Sequence, residues 1–255
     1  MRKRYKNPPV VEALCEFQFI PAGEWDITIP GLIYEKIHED FPEKKQQIGV
    51  GIQLRPTEKG VEHKIEPAPP RVQFFKKDKT ALIQVAPHLF VINQLKPYPT
   101  WEEFKKLILD NFRIYKEIVN PKGIKRIGLR YINVFEFKEP RIELKDYFKY
   151  YPLIPQDLPR EHGPFLTRVE FPYNEGSEIL ILSLGTAIPK QPNAITLVLD
   201  VDYAMVKPEH ISFDKISEWL DKAHGRVEVA FEACITDKAR EIFGEEDHAT
   251  NTADE

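Results

Sequence analysis

Two aspartates, Asp200 and Asp202, stand two residues apart in a run whose alternate positions are the apolar Leu199, Val201 and Tyr203. In a strand such a pair shares one face, with the carboxylates roughly 7 Å apart. Carboxylates so placed can hold a divalent cation, or work as acid and base. They can also meet arginines across a sheet. Arg126 and Arg130 share one face of the segment 124–137 and would serve as that partner. Ion pairing is the expectation, because no histidine or further carboxylate cluster accompanies the aspartates in the sequence.

Asn133 falls on the other face of the same segment, in line with Leu129, Tyr131 and Phe135. A buried amide costs a few kcal/mol, roughly, unless it is hydrogen-bonded. Asn133 therefore needs a partner, which is either backbone or a ligand. His224 follows Leu220 by four residues on the apolar stripe of a helix, between Ala223 and Gly225. It reads as a core-edge histidine or as a ligand contact. Asn93 and Gln84 are polar residues in apolar strands and carry the same two readings. The candidate ligand or partner contacts are thus Asn133, Arg130, Tyr131, His224, Asp200, Asp202 and Asn93. No metal site and no cofactor is expected. His38, His63, His88, His162, His210 and His248 lack metal-ligand spacing. No serine or cysteine stands in a nucleophile motif, and no glycine-rich phosphate loop occurs.

The elements that must position these residues are legible from periodicity. Val11, Ala13, Cys15, Phe17 and Phe19 alternate with polar residues and predict a half-buried strand over 10–19. Leu14 is the apolar exception on the polar face. Helical spacing of Ile33, Ile37 and Phe41 predicts a helix over 31–41, stopped by Pro42. Strands are expected over 49–55, 71–76, 81–86 and 89–95, with 67–70 as a proline-stiffened loop. Thr100 and Glu103 form a capping box for a long helix that Asn120-Pro121 ends. The longest strand is expected over 124–137, and further strands over 166–171, 179–184 and 195–206. The proline- and tyrosine-rich stretch 139–162 is expected to be a connection with at most a short helix near 144–148. Ser212 is expected to cap a last long helix running towards Cys234. Thr236 and Gly244 would bracket a short final one.

Element order repeats along the chain. Arg71-Val72-Gln73-Phe74 and Arg168-Val169-Glu170-Phe171 each precede a hairpin, another strand and a long helix. The reading is an α+β fold of two β-α-β-β-β-α-like units joined by an internal duplication. Each unit would be a curved antiparallel sheet with long helices on one face. The expected division is 1–122, then 123–244 packed on it, then a disordered acidic tail over 245–255.

Composition bounds the class. The 255 residues are 42% hydrophobic and 30% charged, enough apolar material for a core and too much for a disordered chain. A formal net charge of −4 argues against general nucleic-acid binding, despite Arg2, Lys3, Arg4 and Lys6 at the start. Two cysteines make no disulfide framework, and both sit in apolar patterns that predict buried thiols. No signal peptide and no apolar run of roughly 18 residues is present, so the expectation is a cytoplasmic protein. The 22 prolines against 12 glycines, with abundant Lys and Glu, match the composition of heat-adapted proteins.

Several segments together resemble a sporadically distributed family of bacterial and archaeal proteins without a known activity. They are Asn7-Pro8-Pro9-Val10-Val11-Glu12, Ile127-Gly128-Leu129-Arg130-Tyr131-Ile132-Asn133 and Trp219-Leu220-Asp221-Lys222-Ala223-His224. Gln84 with Asn93, Asp200 with Asp202, and the ending from Phe231-Glu232 through Ile235-Thr236 to Phe243-Gly244 belong to the same resemblance. Gln94-Leu95 depart from it, standing where Trp-Arg is expected. The resemblance spans 7–244 and implies an accessory gene product, associated with mobile elements or defence. The functional expectation is a non-enzymatic binding or interaction protein that takes a protein partner or small ligand. The alternatives are an enzyme of unknown reaction with a metal-assisted site at Asp200/Asp202, and a nucleic-acid-binding accessory protein using the basic residues from Arg2 to Lys6 together with Arg126 and Arg130.

Overall fold

The computed structural model describes residues 5–57, 60–159 and 163–244, with backbone alone for 48–57 and 60–69. The basic residues Arg2, Lys3 and Arg4 and the acidic stretch 245–255 lie outside the described residues. The chain folds as α+β, with one nine-stranded sheet in the order β2-β3-β4-β5-β1-β6-β9-β8-β7. The strands are β1 (Val10–Ile20), β2 (Glu43–Thr57), β3 (Gly60–Phe75), β4 (Ala81–Ala86), β5 (Leu89–Leu95), β6 (Gly123–Phe137), β7 (Leu166–Tyr173), β8 (Glu178–Ala187) and β9 (Ile195–Met205). Every described pairing is antiparallel. The helices are α1 (Ile29–Ile37), α2 (Trp101–Val119), α3 (Leu144–Tyr147), α4 (Ile216–Cys234) and α5 (Asp237–Phe243).

Strict alternation makes the sheet two-sided. Ala13, Cys15, Phe17 and Phe19 of β1 stand beside Ile127, Leu129 and Tyr131 of β6, and all are buried. Leu199, Val201 and Tyr203 of β9 continue that face and are fully buried. Helices α2 and α4 cover it with Phe104, Ile108, Phe112 and Tyr115, and with Ile216, Leu220, Ala223 and Val227. Burying each such side chain contributes on the order of 1.5–3 kcal/mol. One contiguous apolar cluster therefore runs through both expected units.

The centre of the sheet is the β1–β6 pair. Outward from it the order is β1, β5, β4, β3 on one side and β6, β9, β8, β7 on the other. α2 follows β5, and α4 follows β9 after a 3-10 turn.

Local chemistry explains the ends. Thr100 accepts from the Glu103 N–H, and the Glu103 carboxylate accepts from the Thr100 N–H, completing the capping box. Asn120 closes α2 at φ 43°, a left-handed conformation that asparagine tolerates. Thr236 caps α5 through the Ala239 N–H.

Three local expectations are corrected. The segment 67–70 is not a loop but lies within β3. There β3 pairs with β2 alone, beside a register shift between Gln47 and Gly49; β4 pairs only from Val72 onward. Prolines are admitted where one side of a strand is free or bulged. The first helix ends at Ile37, not 41, and Phe41 packs into the core from the turn beyond it. Ser212 makes no capping bond to the helix backbone, because the 3-10 turn Phe213–Lys215 stands before α4.

Candidate functional site

The sequence candidates fall on opposite sides of the sheet. Asn133, Tyr131 and His224 meet on the helix-covered side. Arg130, Asp200, Asp202 and Asn93 lie on the other.

The side opposite α2 and α4 carries an ordered polar network. Arg126 bridges Glu16 at 3.0 Å and Asp202 at 2.9 Å. Arg130 grips Asp200 through both Nε, at 2.8 Å, and Nη2. The cross-strand partner of Arg130 is Asp202, so each aspartate reaches an arginine of β6. Gln73, Gln84, Asn93 and Glu12 form a chain of amide and carboxylate hydrogen bonds across four strands. Asn93 is 2% exposed within it. Burial holds the Asp202 carboxyl above the usual carboxylate range, against the pull of Arg126 and Arg130. These groups satisfy one another. Among the described residues no three His, Cys, Asp or Glu side chains are placed to hold a metal ion.

The other side opens into a groove of about 880 Å³. β6 forms its floor, the start of α2 and the second half of α4 its walls, and the strap before β1 its rim. Main-chain bonds hold the strap: Lys6 and Asn7 donate to the carbonyls of Gly244 and Phe243, and Pro9 accepts from Val134. Tyr5 packs edge-on against Phe231 and Phe243 and donates to Glu232 at 2.5 Å. Burial, then that bond to a carboxylate, pushes its phenol up. Arg240 clamps Glu232 from the far side at 2.9 Å.

At the centre lies His224, buried at 5% exposure. Its ring stacks on Trp101 with centroids 4.2 Å apart. Trp101 is fixed in turn by its Nε1, which donates to Asp221 at 3.1 Å; Lys105 joins the same carboxylate at 2.6 Å. Burial alone would raise the Asp221 pKa, but those two donors bring it below the ordinary value. His224 Nδ1 lies 3.3 Å from the Tyr131 hydroxyl, which lies 2.7 Å from the Tyr98 hydroxyl. His224 Nε2 is buried with no hydrogen bond. Glu228 Oε1 stands 3.3 Å away, close enough for charge but not aligned for a bond. Asn133, 4% exposed, donates to the carbonyls of Leu199 at 3.1 Å and Tyr131 at 3.5 Å, and its side chain lines the groove.

The hydroxyl chain from Tyr98 through Tyr131 to His224 can run in either direction, because each hydroxyl donates or accepts. His224 Nε2 can therefore accept from a donor or donate to an acceptor. The charged lining is Glu102, Glu103, Glu228 and Glu232 against Lys6 and Arg240.

Sequence reasoning missed Tyr98, Trp101, Glu228 and Glu232. Trp101 was readable as the first residue of a helix, but not as the plate beneath His224. It also missed Glu178, a carboxylate 2% exposed at the start of β8. Glu178 accepts from Tyr203, Trp219 and Lys222 at 2.8, 2.6 and 2.6 Å. Two of those partners lie 41 and 44 residues away, so no local pattern announces the hub.

No protein-family model matches the chain, and no curated protein matches it. Among solved structures it aligns with the S. pombe Pct1 RNA triphosphatase at 8% identity and a TM-score of 0.14. That alignment covers 94% of this chain and 82% of the other. A score that low says nothing of shared fold or activity. No described helix is long and apolar enough to cross a membrane.

Proposed function

We propose that the chain is a binding protein whose groove takes a small ligand with a planar apolar body and a cationic or hydrogen-donating head. The observation that carries this reading is His224, whose buried Nε2 makes no hydrogen bond, set among the groove-lining residues Trp101, Tyr98 and Tyr131. A buried polar atom without a partner costs about 1–3 kcal/mol, which a ligand group would recover. The volume suits a small molecule. Four carboxylates against two cations favour a positive head, and the aromatic walls suit both stacking and cation–π contact. Three segments of the family resemblance meet here, contributing Pro8, Pro9 and Val10, then Tyr131 and Asn133, then His224.

Calorimetric titration with tryptamine and with indole-3-acetate, the same ring bearing opposite charges, tests the reading. Tryptamine is expected to bind and indole-3-acetate to bind at least tenfold more weakly. His224→Ala is expected to abolish tryptamine binding while leaving the helix content intact. Equal affinity for both probes, or binding unchanged in His224→Ala, refutes it.

The two-sided strand order supports a second part of the reading: the units 1–122 and 123–244 are copies of one curved β-α-β-β-β-α ancestor. β1 then corresponds to β6, β3 to β7, β4 to β8, β5 to β9 and α2 to α4. Superposing the halves tests this; failure to match three strands and the long helix ends it.

A further inference from the structure

β7 is an edge strand, and among the described residues it pairs with β8 alone. The Phe165 carbonyl accepts from Thr186 N at 3.0 Å, and Phe165 N donates to Thr186 Oγ1 at 3.1 Å. In an antiparallel ladder successive residues turn their peptide groups to alternate sides. Thr167, Val169, Phe171 and Tyr173 therefore direct theirs to β8. Leu166, Arg168, Glu170 and Pro172 direct theirs outward. On the other flank of β8 the same alternation holds, since Ser177 accepts from Val206 N at 2.9 Å. Pro172, which lacks an N–H, thus stands where the ladder to β8 loses nothing.

The core face does not stop at β8. Val169 and Phe171 lie opposite the buried Leu182 and Leu180, yet they are 40% and 41% exposed. They are left open because the sheet ends there. Leu166, at 73%, is bare on the opposite face.

We propose that this edge pairs with the same edge of a second copy of the chain, antiparallel about a two-fold axis through Val169. Charge selects that register. Centring the axis on Val169 sets Arg168 opposite the second copy's Glu170, and Glu170 opposite its Arg168. A shift of two positions either way sets Arg168 against Arg168, or Glu170 against Glu170, which is repulsive. In the favoured register the outward N–H and C=O groups of Arg168 and Glu170 bond reciprocally. The outward Leu166 N–H meets the carbonyl of Pro172. Val169 meets its own counterpart in a close, non-hydrogen-bonded pair, with Phe171 beside it, and the apolar face becomes continuous across the axis. Such an interface is isologous, as two-fold dimers require. None of these residues lines the groove, so the inference is independent of the ligand reading.

Sedimentation velocity across a concentration series tests it on the full chain. Wild type is expected to reach twice the 29.7 kDa chain mass as concentration rises into the sub-millimolar range. Arg168→Glu and Glu170→Arg each place two like-charge pairs across the axis and should each weaken dimerisation about tenfold or more. The double swap, Arg168→Glu with Glu170→Arg, should restore it. Both sites are exposed, so circular dichroism melts of dilute samples should stay near wild type. A wild type that stays monomeric throughout, which would leave the edge to a strand of another protein, overturns the proposal. So does a single reversal that leaves the dimer intact, or a double swap that fails to rescue it.

Discussion

Replacing Glu178 by glutamine removes one charge from a carboxylate that is 2% exposed and preserves its shape. The wild-type group accepts from Tyr203 on β9 and from Trp219 and Lys222 on α4, and Asn174 adds a further donor. Burial pushes the Glu178 carboxyl up, but those donors outweigh it and hold the pKa below the ordinary 4.5. A hydrogen bond to a charged group contributes about 1.5–3 kcal/mol and a neutral one about 0.5–1.5. Lys222 is 40% exposed and can turn to water, so the loss falls on the buried Tyr203 and Trp219 donors. At about 1–1.5 kcal/mol for each, with the amide N–H₂ now facing donors, Glu178→Gln should cost about 2–4 kcal/mol. For a chain of this size that lowers Tm by about 4–16 °C. The sign with pH follows from the depressed pKa. The carboxylate's contribution is fully present above the unfolded value near 4.5 and is lost as pH falls through the lower folded value. Urea denaturation followed by circular dichroism should therefore show the full gap at neutral pH and a narrowing gap below about pH 4.5. A variant as stable as wild type at neutral pH, or a gap that does not shrink in acid, would refute the reasoning.

Other outcomes follow from the same geometry. Asn133→Leu removes the donor to Leu199 and should cost about 1–3 kcal/mol, while Asn133→Asp, which turns a carboxylate towards that carbonyl, should cost at least as much at neutral pH; thermal melts decide. Burial raises the Asp202 pKa, so its ionised form works against folding, and that penalty grows as pH rises through the raised value. Asp202→Asn should therefore stay within about 1 kcal/mol of wild type at neutral pH and fare better there than in acid, whereas Asp200→Asn, which frees the two-point grip of Arg130, should be destabilising in urea titrations at neutral pH. Burial pushes the thiol of Cys15 well above its ordinary range and that of Cys234 up to about 11, so neither should react with Ellman's reagent until denaturant exposes both.

The sequence was most legible where one periodicity decides the outcome. β4 and β5 fall on their expected bounds, and α2 starts at its capping box, because alternation and caps are local signals. The arginine–aspartate pairing could be anticipated because i, i+2 charges on two neighbouring strands must share one face. The proline segment was misread because proline reports a missing N–H, not which side of a strand lacks a neighbour. The groove was half visible. Asn133 and Tyr131 on one strand and His224 on a helix stood out as polar or aromatic positions on apolar faces. That they meet depends on α4 crossing β6 and on Trp101 arriving beneath His224, and both are long-range packing outcomes. The split of the candidates onto two sides of the sheet was implicit in their odd and even numbering along β6. The floor positions Tyr131 and Asn133 are odd, and the network residues Arg126 and Arg130 are even.

The groove stands or falls on the Nε2 of His224. Nitrogen-15 NMR of histidine-labelled protein, with and without tryptamine, observes that atom directly. The account predicts a large tryptamine-dependent change in the His224 Nε2 resonance, with little change at His38, His88 and His210, which lie outside the groove lining. A His224 resonance that stays fixed at saturating tryptamine would contradict it.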